Sequence, residues 1–177
     1  MNLTTNFTLQ EMTESLTAKK RGIDNTPHDE KVIENLKALC ENVLEPLRKI
    51  IGKPIIISSG YRSGQLNAYI GGAINSQHVS GQAADISMDM ENVEVFKAIS
   101  ENLEFDQLIW EFGSNDNPEW VHVSFSSTHN RKQMLKGVKE HGKTVYLPMA
   151  APKVEKAPKV EKAPKVEKAT KADKPKK

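Results

Sequence analysis

The sequence predicts an α+β fold, an antiparallel sheet with flanking helices, followed by a disordered C-terminal tail. Three observations predict it. Apolar residues recur at three- and four-residue spacing early in the chain (Val32, Ile33, Leu36, Leu39, Val43, Leu44 and Leu47), the period of one helix face. Short β-branched and aromatic runs bounded by turn residues occupy much of the later chain. From Ala151 the unit Ala-Pro-Lys-Val-Glu-Lys repeats three times to Lys168 and then degenerates. Helices that come first and strands that pair later make an α+β domain over residues 1–150. Residues 151–177 form the tail.

The elements follow in order. Thr8-Leu9-Gln10-Glu11 is a capping box that opens a short helix. Thr26-Pro27-His28-Asp29 reads as an N-cap with proline at the first helical position. The long amphipathic helix that follows is expected to kink at Pro46, whose ring and missing N–H disturb the turn before it. Ile55-Ile56-Ile57 reads as a buried strand that delivers Tyr61 and Arg62 to the turn at its end. Ser63 to Ile70 is a short helix broken by Gly71-Gly72, and Ala83 to Ser87 is a strand. Asp89 and Glu91 begin a helix whose apolar face carries Val93, Phe96 and Ile99. Leu108-Ile109-Trp110 and Val121 to Phe125 are strands, and a last hairpin spans Met134–Val138 and Thr144–Leu147.

Composition limits the class. A chain of 177 residues is long enough for one domain with a sizeable core. Cys40 is the sole cysteine, which excludes an intramolecular disulfide and a thiolate metal cluster, and its place on the apolar helix face suits a buried, inert thiol. Met1 to Gln10 lacks a basic region followed by an apolar core, so no secretory signal is expected and synthesis in the cytoplasm is. No apolar run approaches the roughly 20 residues that span a bilayer. The net charge is +2, but residues 151–177 hold ten lysines against four acidic residues, which leaves residues 1–150 at −4. The body therefore has no dense basic patch with aromatics, and no nucleic-acid partner is expected. Proline in every repeat and valine as the only sizeable apolar residue keep the tail from forming a core. It reads as a solubilising spacer or as an electrostatic tether to an anionic polymer. No feature of the sequence sets an oligomeric state.

Chemistry concentrates in two segments. The first is Ser76-Gln77-His78-Val79-Ser80-Gly81-Gln82-Ala83-Ala84-Asp85, and the second is Pro118-Glu119-Trp120-Val121-His122-Val123. A lone histidine is ordinarily a core or surface residue, and the chain has five. Context separates these two. His78 sits among small residues where a ligand can approach closely. Asp85 interrupts an apolar strand, and a buried carboxylate needs a partner or a metal. His122 alternates with Val121, Val123 and Phe125, so it points away from the apolar face of its strand. Two imidazoles and a carboxylate suit a catalytic zinc, which takes three protein ligands and leaves a position for water, although such ligands accept other divalent ions too. Glu119 is the carboxylate placed to take a proton from that water, provided it lies in the turn that Pro118 begins, because residues three apart on one strand face opposite sides. Asp116 is the fallback base. His129 reads as a solvated loop residue, and His28 and His141 carry no partner pattern.

The S-x-H-x-x-G-x-A-x-D pattern from Ser76 to Asp85, with E-W-x-H from Glu119 to His122, resembles the zinc D-Ala-D-Ala carboxypeptidase family. That family includes cell-wall peptidases and phage endolysins, and it shares its fold with the hedgehog signalling domain. Ser58-Ser59-Gly60-Tyr61-Arg62-Ser63 is similar to the family's S-G-Y-R segment, and the resemblance runs from Phe7 to Leu147. It implies that His78, Asp85 and His122 bind Zn2+, that Glu119 is the general base and later acid, and that Arg62 holds the substrate carbonyl or carboxylate. It also implies a peptidoglycan stem peptide as substrate and cell-wall lysis as the outcome, as a phage endolysin acting on the wall after release. Two alternatives stay open. One is a non-catalytic zinc-binding module, favoured if Glu119 points away from the metal. The other is a virion-associated structural protein anchored by the lysine-rich tail.

Overall fold

The computed structural model describes residues 1–88 and 92–150. The expected helix start at Asp89 and Glu91, and the tail from Ala151, lie outside the described residues. The chain opens with two short helices, α1 (Leu9–Thr13) and α2 (Leu16–Arg21). As the capping box predicts, the Thr8 hydroxyl accepts the Glu11 N–H at 3.1 Å. Ser15 caps α2 in the same way through the Ala18 N–H at 3.2 Å.

The long amphipathic helix is present but differs at both landmarks. Helix α3 (Glu30–Leu39) starts after Asp29, whose carboxylate accepts the Lys31 N–H at 2.8 Å. Thr26 is not the cap: it lies three residues before the helix cap Asp29, in a tight turn where its N–H donates to the Asp24 carboxylate. The irregularity expected at Pro46 is a π-helical turn (Cys40–Leu44) just before α4 (Glu45–Ile51). There the Glu45 N–H reaches the Cys40 carbonyl, an i to i−5 bond. Proline has no N–H for the carbonyl four residues back, and the wider turn ahead of it accommodates that loss.

Six strands form one sheet in the order β1-β2-β4-β3-β5-β6. They are β1 (Ile57–Ser59), β2 (Ala83–Ile86), β3 (Gln107–Glu111), β4 (Trp120–Ser124), β5 (Gln133–Glu140) and β6 (Lys143–Pro148). Helix α5 (Gly64–Tyr69) follows β1, and α6 (Asn92–Asn102) follows β2. The sheet is mostly but not wholly antiparallel: β5 runs parallel to β3. The other edge of β4 is taken by β2, so the chain reverses after β4, passes β3 and arrives on its far side in β3's own direction. The first strand is also shifted from its expected place. Ile55 is buried, but Ile56 is 48% exposed, and the strand pairing begins only at Ile57. A short apolar run does not by itself fix where pairing starts.

Strand alternation gives the sheet two different faces. Ala84, Ile86, Leu108, Trp110, Val121 and Val123 turn to a core shared with Leu36, Leu39, Val43, Leu44 and Leu47 and with Phe96 and Ile99 of α6. Removing one such side chain, as in Phe96→Ala, costs about 3–5 kcal/mol through lost burial and the cavity left behind. The register puts Asp85 opposite His122, and His122 opposite Ile109. These residues, with Glu111 and Trp120, occupy the face turned away from that core.

Candidate metal centre

Asp85 and His122 reach the same point because they are direct partners across β2 and β4. His78 arrives from the loop after α5, and three contacts hold it there. Its Nδ1 lies 2.7 Å from the Gly60 carbonyl, which can only accept, so Nδ1 carries a proton and Nε2 is the nitrogen turned to the cluster. The Arg62 N–H donates to the His78 carbonyl at 3.2 Å, and the Gly81 N–H donates to it at the same distance. Gly60 is required for this arrangement: a Cβ there would run into the Met12 carbonyl, whose carbon would lie 3.0 Å away. Gly81 has a φ of +70°, and a Cβ there would stand 2.6 Å from the Val32 carbonyl oxygen.

The three side chains are buried and close. His78 Nε2 is 3.2 Å from Asp85 Oδ1, His122 Nδ1 is 3.0 Å from the same oxygen, and the two ring nitrogens are 3.2 Å apart. Arg62 completes the cluster, with Nη2 at 2.5 Å from Asp85 Oδ2 and Nε donating to Ser59 Oγ at 2.9 Å. Burial would raise the Asp85 carboxyl, but His78 and His122 outweigh it by charge and hydrogen bonding and hold it well below the usual carboxylate range. Asn25 fixes the Arg62 turn from outside: its amide donates to the Thr13 and Tyr61 carbonyls, and its oxygen accepts the Ser63 N–H. On the other side, Gln77 donates to Asp106, which Arg131 grips through Nε and Nη2.

The structure thus brings together His78, Asp85, His122 and Arg62. Glu119 is not among the side chains that converge there. Glu119 lies in the turn before β4, as the spacing argument requires, but the turn is closed by its backbone. Its N–H donates to the Glu111 carbonyl at 3.0 Å, and its own carbonyl accepts from Asn92 at 2.7 Å. With the backbone tied inward on both sides, the side chain is exposed. The fallback Asp116 is exposed as well, as are His129, His28 and His141.

One residue on this face escapes sequence reasoning. Glu111 ends β3, opposite Trp120 and two residues along from Ile109, the partner of His122. It is 5% exposed, and its Oε2 has no hydrogen-bond partner. Its Oε1 accepts from the Tyr146 hydroxyl at 3.3 Å. Burial pushes its carboxyl upward, with the charges of His122, Asp85 and Arg62 also acting on it. The available signal is a carboxylate closing the apolar run Leu108-Ile109-Trp110.

The donor set is that of a divalent metal site: two imidazole nitrogens and a carboxylate oxygen, all within 4.8 Å of one another. Its relatives agree. The chain is 33% identical over 67 residues to the zinc D-Ala-D-Ala carboxypeptidase of Streptomyces albus G, a match that covers 37% of this chain and 26% of that protein. The chain thus spans about a quarter of the length of that curated relative. The family model for Peptidase M15 matches residues 5–124, a span that contains Arg62, His78, Asp85, Glu111 and His122. With the match extending over most of the described residues and enclosing the whole buried cluster, the chain belongs to the Peptidase M15 family.

Proposed function

We propose that this chain is a zinc-dependent peptidase that hydrolyses amide bonds in peptidoglycan stem peptides, with His78, Asp85 and His122 as the metal ligands. The convergence of three buried donor atoms carries the reading. The chemistry of the set fits a cation. His78 Nε2, the ring nitrogen turned to the cluster, faces His122 Nδ1 and a carboxylate oxygen, and a cation among them satisfies all three. The Gly60 carbonyl behind His78 and Arg62 behind Asp85 are the outer partners that orient such ligands. When bound, zinc supplies a Lewis acid for a carbonyl and lowers the pKa of water.

The chain's own residues bind and orient the peptide. Arg62 Nη1 has no hydrogen-bond partner among the described residues, so the guanidinium can still take a substrate carbonyl or terminal carboxylate as negative charge develops. Arg62 also lines a cleft of about 440 Å³ with Leu16, Ser59, Tyr61, Leu66 and Ile70. Its walls also carry Glu11, Glu14, Ser15, Thr17 and Ser58, a mixed polar and apolar lining. The name of the Streptomyces relative supports a D-Ala-D-Ala bond; a phage endolysin cutting elsewhere in the stem peptide is the finer alternative within the same chemistry. The reading extends to a hedgehog/DD-peptidase-like domain over residues 1–150 and to action on the cell wall after release. No helix among the described residues is long and apolar enough to cross a membrane.

The exposure of Glu119 favours a second reading, a non-catalytic zinc-binding module. One experiment separates the two: mass spectrometry of peptides released from purified peptidoglycan by the zinc-loaded full chain, beside Asp85→Asn. New fragments from the wild type alone are expected, and their masses identify the bond. Zinc bound by the wild type with no fragment released would establish the module instead.

A further inference from the structure

Resting on the peptidase reading, we propose that Glu111, seated over Gly137 with the Tyr146 hydroxyl on one of its oxygens, is the carboxylate that moves the proton during peptide hydrolysis, in the place expected of Glu119. The geometry carries this assignment. Strand register puts Glu111 on the face that holds Asp85 and His122, about 7 Å along the strand from the residue paired with His122. A buried carboxylate oxygen without a partner is costly, and structures retain such groups where function uses them. The notch is built for it: a Cβ at Gly137 would stand 2.5 Å from Oε2, so any other residue there would displace the carboxylate. Tyr146, the register partner of Gly137 on β6, holds the second oxygen and leaves Oε2 as the free one.

The step balances as an ordinary hydrolysis. A water gives one proton to Glu111 Oε2 while its oxygen bonds to the scissile carbonyl carbon. As the carbon–nitrogen bond breaks, that proton passes to the departing nitrogen. The products are a carboxylic acid and an amine, and Glu111 returns to a carboxylate. Tyr146 from β6 touches it, and the charges of His122 from β4, Asp85 from β2 and Arg62 from the turn after β1 act on it.

The test compares Glu111→Gln with Glu119→Gln in the full chain, with three readouts. Hydrolysis of stem peptides should fall by about 10²–10⁴-fold in Glu111→Gln and stay within about twofold in Glu119→Gln. Zinc affinity, measured with zinc alone by competition against a chromophoric chelator, should be unchanged in both, as should melting temperature. The third readout does not depend on turnover. In the chain carrying ¹³C-labelled glutamate, the Glu111 carboxyl resonance, assigned by its loss in Glu111→Gln, should titrate about one pH unit lower or more once zinc is added, while Glu119 does not respond. A Glu111 signal indifferent to zinc overturns the proposal even if no substrate is cleaved, and that result differs from failure of the peptidase reading, in which the wild type releases nothing. Activity lost in Glu119→Gln and kept in Glu111→Gln overturns it, as does a tenfold loss of zinc affinity in Glu111→Gln, which would make the residue a ligand.

Discussion

Gly60→Ala perturbs the centre without touching any residue expected to ligate the metal. The added Cβ meets backbone: the Met12 carbonyl oxygen sits well inside contact distance, with the carbonyl carbon at 3.0 Å and Cα at 3.1 Å. That carbonyl cannot rotate away freely, because it also accepts the Tyr61 N–H at 2.7 Å. Relief must come from moving the Gly60–Tyr61 segment off α1. Overpacking of this kind costs about 1–3 kcal/mol. At about 2–4 °C per kcal/mol for a domain of this size, the melting temperature should fall by roughly 2–12 °C. The same movement carries the Gly60 carbonyl away from His78 Nδ1, now 2.7 Å distant. Loss of such an outer partner lowers metal affinity by about 10–100-fold. Thermal denaturation of the chelator-treated chain isolates the first effect, and a zinc competition titration reads the second. Wild-type zinc affinity in a variant that has lost several degrees of stability would refute the link between Gly60 and His78.

Three further outcomes are expected. Asp106→Asn should destabilise the domain by about 1–2 kcal/mol at neutral pH, the half-exposed Arg131 screening part of a larger effect. Arg131 holds the Asp106 carboxyl at about 2 against burial, so in the wild type this contribution is full above about pH 4 and fades as pH falls toward 2. Denaturant titrations from pH 5 to pH 2 should show a shallower loss of stability in the variant than in the wild type. Cys40, fully buried, with its thiol pushed up to about 12 by burial and then by the charges of Glu11, Glu45 and Glu41, should resist thiol reagents in the folded chain and react at the rate of unfolding. Zinc should raise the melting temperature of the wild type and not of Asp85→Asn, measured by calorimetry with the metal at 100-fold excess over its dissociation constant, where linkage gives about 2.7 kcal/mol.

The elements legible in the sequence are those whose signal is local. Thr8 and Glu11 mark a helix start because the capping bond spans only three residues. The face of α3 is readable because its period is internal to the helix. Helix α2 is harder to see: Leu16 is 69% exposed and only Ala18 is buried, so it has a cap but no apolar stripe. The parallel pairing of β3 with β5 leaves no local mark, since it depends on which edge is vacant after β2 and β4 pair. The start of β1 is ambiguous for a related reason. Ile55, Ile56 and Ile57 are equivalent as letters, and only the position of β2 decides which of them pairs.

The candidate site divides along the same line. His78, Asp85 and His122 can be found from sequence because each breaks a local expectation: a histidine among small residues, a carboxylate in an apolar strand, a histidine on the polar phase of an alternation. Glu119 meets a spacing rule, three residues ahead of His122, yet spacing along the chain fixes a side chain's direction only inside a regular element. Glu119 lies one residue outside β4, where the turn's hydrogen bonds decide instead. Glu111 is eleven residues from His122 in the chain but two positions from its partner across the sheet. A carboxylate delivered by a neighbouring strand keeps its direction through the register of the sheet, which a turn residue cannot do. For proton transfer, which demands hydrogen-bond reach, that rigidity makes the strand position the better place for the group.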